Sequence, residues 1–109
     1  MAEHTMHLKR TYFDLFLQGK KTVELRLLDE KRKKIQLGDT IRFICNENEN
    51  ESFIMTVIGL VVAKTFNELL EIIPVTKCGF PDTETAVQTI EQFCPSDKQD
   101  GVLGIVLRF

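Results

Sequence analysis

A chain of 109 residues, 43% of them hydrophobic, has material for one core and not two, since domains of roughly 100–150 residues bury about two thirds of their unfolded surface. The longest apolar stretch, Phe53 to Val62, is interrupted by Thr56 and Gly59 and reaches about half the length of a bilayer crossing, so no transmembrane helix is expected. The net charge of −2 hides an asymmetry: residues 1–44 carry ten Lys/Arg and six Asp/Glu (+4), and residues 45–109 carry four and ten (−6). A basic N-terminal part offers a local patch for phosphates, whereas the acidic remainder works against broad, non-specific binding along a duplex.

The first residues, Met-Ala-Glu-His-Thr-Met-His, lack the basic start, apolar centre and small-residue cleavage site of a secretory signal, so the expected location is cytoplasmic. Cys45, Cys78 and Cys94 cannot all pair within one chain and form no Cys-x-x-Cys unit, which reads as free thiols in a reducing compartment. His4 and His7 would share a face on a helix, but on a strand their odd spacing sends them to opposite sides. No metal and no cofactor is expected.

In chain order, His4 to Lys9 reads as a strand. Thr11-Tyr12-Phe13-Asp14 then gives a capping-box-like start to a helix through Gln18, with Asp in place of the usual Glu or Gln. Gly19 suits the left-handed position after the helix end. Lys21 to Leu27 alternates, which predicts a half-buried strand. Asp29-Glu30 before Lys31-Arg32-Lys33-Lys34 has the charge order of a short helical turn. Leu37-Gly38-Asp39 is a turn into a strand from Thr40 to Cys45, and Asn46 to Glu51 a polar hairpin loop. Ser52 to Lys64 reads as one long strand with a bulge at Gly59.

Thr65-Phe66-Asn67-Glu68 is a full capping box for a second helix that Pro74 stops. Asp82 or Thr83 caps a third, with Ala86, Val87, Ile90 and Phe93 at helical spacing before Cys94-Pro95. Gly101 to Phe109 is a closing apolar strand. Interleaved strands and helices, with no repeat and no low-complexity linker, make the class α+β with a closed sheet plausible, in a single domain spanning 1–109.

On the Lys21–Leu27 strand, Thr22, Glu24 and Arg26 leave one face, and Val23, Leu25 and Leu27 back them. Two long charged side chains and a hydroxyl make either a solvated outer face or a polar cleft floor, and alternation alone leaves both readings open.

The arrangement Gly19-x-Lys21-x-x-Glu24-x-Arg26, then Gly38-Asp39-x-Ile41-x-Phe43, then Gly101-Val102-Leu103-x-Ile105, resembles the ASCH (ASC-1 homology) domain family over nearly the whole chain. The resemblance implies a small PUA-like β-barrel flanked by about three helices, with a cleft beside the barrel that binds RNA or a nucleotide-like ligand. Lys21, Thr22, Glu24 and Arg26 are then the candidate binding residues. Arg26 would clamp a phosphate or carboxylate through its planar fork, Glu24 would hold Arg26 or accept from a base edge, and Lys21 would add a movable positive charge.

Some ASCH proteins of this size are amidohydrolases that deacetylate N4-acetylcytidine. They resemble this chain at Gly19, Lys21, Thr22 and Arg26 but carry a threonine nucleophile where Glu24 stands. An enzyme here would use Lys21 and Glu24 as catalytic groups, with Glu24 activating water as general base and Lys21 or Arg26 stabilising the oxyanion. That family's further glutamate falls at Glu68 or Glu71.

Lys20, Lys31 and Arg32 are candidate phosphate contacts, although a charge run such as Lys31 to Lys34 is more commonly a solvated turn. Tyr12, Phe13 and Phe16 read as core, and Phe80, between Gly79 and Pro81, as the better exposed aromatic, with packing over the barrel mouth its expected role. The leading expectation is a module for short single-stranded RNA or a nucleotide-like ligand, with no membrane partner. The alternatives are the amidohydrolase and, third, a protein-interaction module, for which no exposed apolar helix pattern nominates a face.

Overall fold

In the computed structural model, which describes residues 1–93 and 101–109, five strands are interleaved with three helices. These are β1 Glu3–Leu8, α1 Arg10–Leu17, β2 Val23–Leu27, β3 Thr40–Cys45, β4 Asn48–Ala63, α2 Phe66–Ile72, α3 Thr83–Phe93 and β5 Val102–Arg108. Two 3-10 turns, Arg32–Lys34 and Val75–Cys78, fill connections. The first is the short turn expected from the charge order; the second was not expected from the sequence. The strands form one sheet of order β1-β3-β4-β5-β2, with β1 and β3 parallel and every other neighbouring pair antiparallel.

The sheet is curled into a half barrel, and β1 and β2 are its two edges. β4 makes the curl: it pairs with β3 as far as Thr56 and with β5 from Thr56 to Ala63. Its register skips between Val57 and Gly59, the bulge expected at Gly59, and such an extra residue bends a strand. β5 is covered on both sides. Leu103, Ile105 and Leu107 join Phe13, Phe16, Ile41 and Phe43 in one core cluster, while Val102 joins Phe66, Leu69, Ile90 and Leu25 in the other. Burial of both faces explains why Gly101 to Phe109 shows no polar alternation.

Three local expectations are corrected. Helix α1 begins at Arg10 with Lys9 as N-cap and no side-chain cap, so the Thr11 capping box does not form. The free N–H of Arg10 is instead taken by Glu47 Oε1 at 3.0 Å, a cap brought from a distant hairpin. The loop read from Asn46 to Glu51 is a tight turn at Asn46-Glu47, and β4 starts at Asn48. Residues Asn48 to Asn50 are exposed on both sides, so this strand end has no buried face to generate an alternation. The strand read from Lys21 starts at Val23.

The other caps follow the sequence. Thr65 Oγ1 accepts from Glu68 N while Glu68 Oε2 accepts from Lys64 N, and Asp82 Oδ1 accepts from Thr85 N at 2.7 Å. Gly19 lies at φ +75° just past α1. Cys45 and Cys78 are buried free thiols, whereas Cys94 and Pro95 lie outside the described residues.

Asp39 fastens the chain start to the β3 turn. Its carboxylate accepts from Ala2 N and Gln36 N, each at 3.0 Å, and stands 2.8 Å from His4 Nε2. The His4 hydrogen bond, with those two N–H groups, holds its carboxyl down from 3.8 to about 2. A depressed folded-state value stabilises the fold fully above the unfolded one and loses that contribution as pH falls through about 2. Asp39→Ala should therefore lower the thermal midpoint at neutral pH by roughly 4–8 °C, followed by circular dichroism. The gap to the parent should narrow as pH drops below 3.8.

Candidate functional site

An open sheet leaves two edges without ladder partners, and here both edges border the cleft. Ala2 O and Leu8 O accept from Thr40 N and Asn46 N, so parity turns the carbonyls of Thr5 and His7 to the free side of β1. Lys31 Nζ donates to Thr5 O and Arg26 Nη2 to His7 O, each at 2.9 Å. On β2, Thr22 O accepts from Leu107 N, which sends Val23 O to the open side, where Lys21 Nζ meets it at 2.9 Å. Side-chain cations cap the carbonyls of both edges, and Arg26 and Lys31 bridge the seam that a closed barrel would fill with a ladder.

Beside this seam lies a cleft of about 260 Å³. Its walls are His7, Leu8 and Lys9 from the end of β1, Tyr12 of α1, Glu24, Leu25 and Arg26 of β2, Lys21, Asn46, Phe80, and Thr89 and Ile90 of α3.

Lys21 is 2% exposed. Its ammonium donates to Cys78 O at 2.7 Å and Val23 O at 2.9 Å and pairs with Glu24 Oε1 at 3.1 Å, which engages all three of its N–H bonds. The rings of Phe16 and Tyr12 flank it, with centroids at 5.1 and 5.6 Å, within cation–π range. Gly79 makes room: it sits at φ +90°, and a Cβ there would come within 3.1 Å of Lys21 Cδ. The expected movable charge is thus a fixed one.

Glu24 is 6% exposed, which rules out a solvated outer face. It pairs with both basic neighbours, through Oε1 with Lys21 and through Oε2 with Arg26 Nε at 2.8 Å. Burial alone would push its carboxyl up, but the charges of Lys21 and Arg26 and their hydrogen bonds outweigh it and hold the carboxyl below its ordinary value. Arg26 uses Nε and one Nη2 hydrogen in these contacts, leaving three of its five N–H bonds without a protein partner among the described residues.

Tyr12 and Phe80 pack against each other with centroids 5.5 Å apart and ring planes tilted by 50°. Burial, with the Glu24 charge behind it, raises the Tyr12 phenol. Its hydroxyl therefore stays protonated and has no hydrogen-bond partner among the described residues. Cys78 is likewise pushed up by burial, to about 11, and stays a thiol.

The residues expected at the site separate clearly. Lys21, Glu24 and Arg26 converge on the cleft; Thr22 does not line it and is held by its backbone to Lys77 O and Leu107 N. Lys20 is exposed and away from the cleft wall. Lys31 reaches the seam, while Arg32 is folded onto Asp29, Nη1 to Oδ2 at 2.6 Å. Glu68 and Glu71 lie on a different surface depression with Val62 and Ile72, so neither supplies a carboxylate to the cleft.

Tyr12, His7 and Asn46 were missed as cleft residues. A signal existed for Tyr12, since a tyrosine on a helix face shared with phenylalanines needs somewhere to put its hydroxyl. Among the described residues no group of three or more His, Cys, Asp and Glu side chains could hold a metal, and His4 and His7 do part to different sides of β1.

A curled half-barrel sheet with three helices defines an α+β domain of PUA-like fold. The chain belongs to the ASCH domain family, which it matches over residues 6–102. It is similar along its length to a solved structure described as hypothetical protein PH0355, with 31% identity, a TM-score of 0.81, and coverage of 99% of this chain and 98% of that one. Protein PF0455 from Pyrococcus furiosus is 29% identical with a TM-score of 0.74, covering 97% and 96%. ASCH from Zymomonas mobilis shares the fold at 18% identity and a TM-score of 0.66, over 98% of this chain and 67% of that one. No curated protein matches the chain. No helix among the described residues is long and apolar enough to cross a membrane.

Proposed function

We propose that this domain is a binding module that holds a nucleotide, or one nucleotide of a short single-stranded RNA, in the seam cleft. The observation that carries the reading is Arg26: pinned by Glu24 and His7 O, it keeps three N–H donors available at a cleft that Tyr12 and Phe80 wall with aromatic rings. A preorganised guanidinium suits a phosphate, and an aromatic wall suits a base plane. The Tyr12 hydroxyl and the Asn46 amide supply hydrogen bonds for a base edge. The cytoplasm is the proposed location, consistent with the buried free thiols of Cys45 and Cys78.

Arg26→Ala is the test. Affinity for nucleoside monophosphates and short RNAs, measured by fluorescence anisotropy or calorimetry, should fall by about 10- to 100-fold, and the parent's affinity should decline with salt. Arg26→Lys should recover little, because a point charge cannot reproduce the fork. Unchanged binding in Arg26→Ala would remove the basis for the cleft assignment.

An amidohydrolase acting on N4-acetylcytidine is the second reading, motivated by Lys21 at the cleft wall. The hydrogen bonds weigh against it. A general base works best near ambient pH, whereas Glu24 is held low with both oxygens engaged; Lys21 has no N–H left for an oxyanion, a role that would fall to Arg26. Release of cytidine by the parent, or by Glu24→Thr, would restore it.

A further inference from the structure

The charges around the cleft are not evenly placed. Beyond His7 lies the β3–β4 hairpin with Glu47, Glu49 and Glu51, set against Lys9 and Arg10; Arg10 pairs with Glu51, and Glu49 is 79% exposed with its carboxylate 3.6 Å from His7 Nε2. Helix α3, which supplies Thr89 and Ile90 to the wall, carries Glu84 and Glu91 and no Lys or Arg. Toward the N-terminal part of β1 the sign reverses. Arg26 and Lys31 hold the carbonyls of His7 and Thr5, two residues apart on one strand edge and so about 6–7 Å from each other. Lys31 commits one of its three N–H bonds there, and Lys34, at the end of the adjoining 3-10 turn, is exposed without a protein partner among the described residues.

We infer that a single-stranded RNA leaves the cleft in one direction only, across the seam between β1 and β2, with successive phosphates passing Arg26, Lys31 and Lys34. This rests on the nucleotide-cleft reading and extends it from one nucleotide to a chain with a fixed exit. The two carbonyls on which Arg26 and Lys31 are anchored are spaced like neighbouring phosphates of an extended strand, and both side chains keep donors after making those contacts. At the opposite end the carboxylates of Glu47, Glu49, Glu51, Glu84 and Glu91 outnumber the cations Lys9 and Arg10, so the balance of charge there disfavours a phosphate. The sequence made Lys31 a candidate phosphate contact within a charge run more commonly solvated. The added observation is that its ammonium is held at the seam, in line with Arg26.

The test uses the nucleoside 5′-monophosphate that binds most tightly, and tetraribonucleotides carrying that nucleotide at the 5′ or the 3′ end, measured by anisotropy across a salt series. Extension on one side alone should raise affinity about tenfold or more over the monophosphate, and extension on the other should add little. Lys31→Ala/Lys34→Ala should cancel most of that gain and reduce the salt slope by about 0.7 for each phosphate no longer neutralised. The charge-matched pair Lys64→Ala/Lys77→Ala should leave the gain in place, and Glu49→Lys should raise affinity for the disfavoured extension. Equal gains from both extensions, or equal losses in the two lysine pairs, would overturn the one-sided exit while leaving an Arg26-dependent cleft intact. No Arg26-dependent binding of any monophosphate or tetranucleotide would overturn both.

Discussion

Glu24→Ala should lower the unfolding free energy by about 3–5 kcal/mol, the cost of stranding a buried charge without its counter-ion. Lys21 is enclosed by Phe16, Tyr12, Cys78 O and Val23 O, and Glu24 is its one carboxylate partner among the described residues. Removing that carboxylate also releases Arg26 Nε and with it the seam contact to His7 O. The pair need not be net stabilising for its breakage to be costly, since desolvation offsets much of its attraction. Lys21→Met/Glu24→Ala should therefore cost less than the two single changes added together, with a coupling of about 1–3 kcal/mol in urea denaturation. A cycle that closes additively would place Lys21 and Glu24 in independent environments, against the 3.1 Å separation of their charged atoms.

The same pair sets an acid limb. Because the folded-state value of Glu24 is lowered from its ordinary 4.5, its contribution is complete above about pH 4.5 and is lost as pH falls through the lower folded value. Glu24→Gln should be less stable than the parent at neutral pH, with a shallower decline below pH 4.5.

How much of this was legible in the sequence depended on how far apart the cooperating residues lie. The alternation Val23-Glu24-Leu25-Arg26-Leu27 gave β2 directly, and the capping box at Thr65 gave the start of α2. The burial of Glu24 could not be read from that alternation, because what covers its face comes from elsewhere. Tyr12 and Phe16 belong to the preceding helix, and Cys78 O reaches Lys21 across 57 positions. The α1 cap failed for a similar reason: Thr11 competed with a glutamate 37 residues away that satisfies Arg10 N. The family resemblance recovered the convergence of Lys21, Glu24 and Arg26, which periodicity could not. It did not reveal that all three N–H bonds of Lys21 are engaged, because one of the acceptors, Cys78 O, lies 57 positions away in the chain.

The core beneath the cleft is the second place where a single change should be severe. Phe16 is fully buried, stacks on Phe43 with centroids 5.1 Å apart, packs tilted against Phe53 with centroids 5.9 Å apart, and has the Lys21 ammonium 5.1 Å from its ring centroid. Phe16→Ala should cost about 3–5 kcal/mol through reduced burial and the cavity left behind. Phe16→Leu keeps most of the volume and should cost about 1–2 kcal/mol, the share of the ring stacking and the cation–π interaction. The leucine variant is the informative one, because it removes the aromatic floor while leaving the acceptors of Lys21 in place. Its folded state should exchange the Lys21 side-chain protons faster by NMR, and under the proposed nucleotide-cleft function any affinity for a nucleoside monophosphate should weaken by about twofold or more as the Lys21–Glu24–Arg26 chain loosens. Parent-like exchange with a loss of stability of about 1–2 kcal/mol would confine Phe16 to core packing and leave the three acceptors sufficient to fix the lysine.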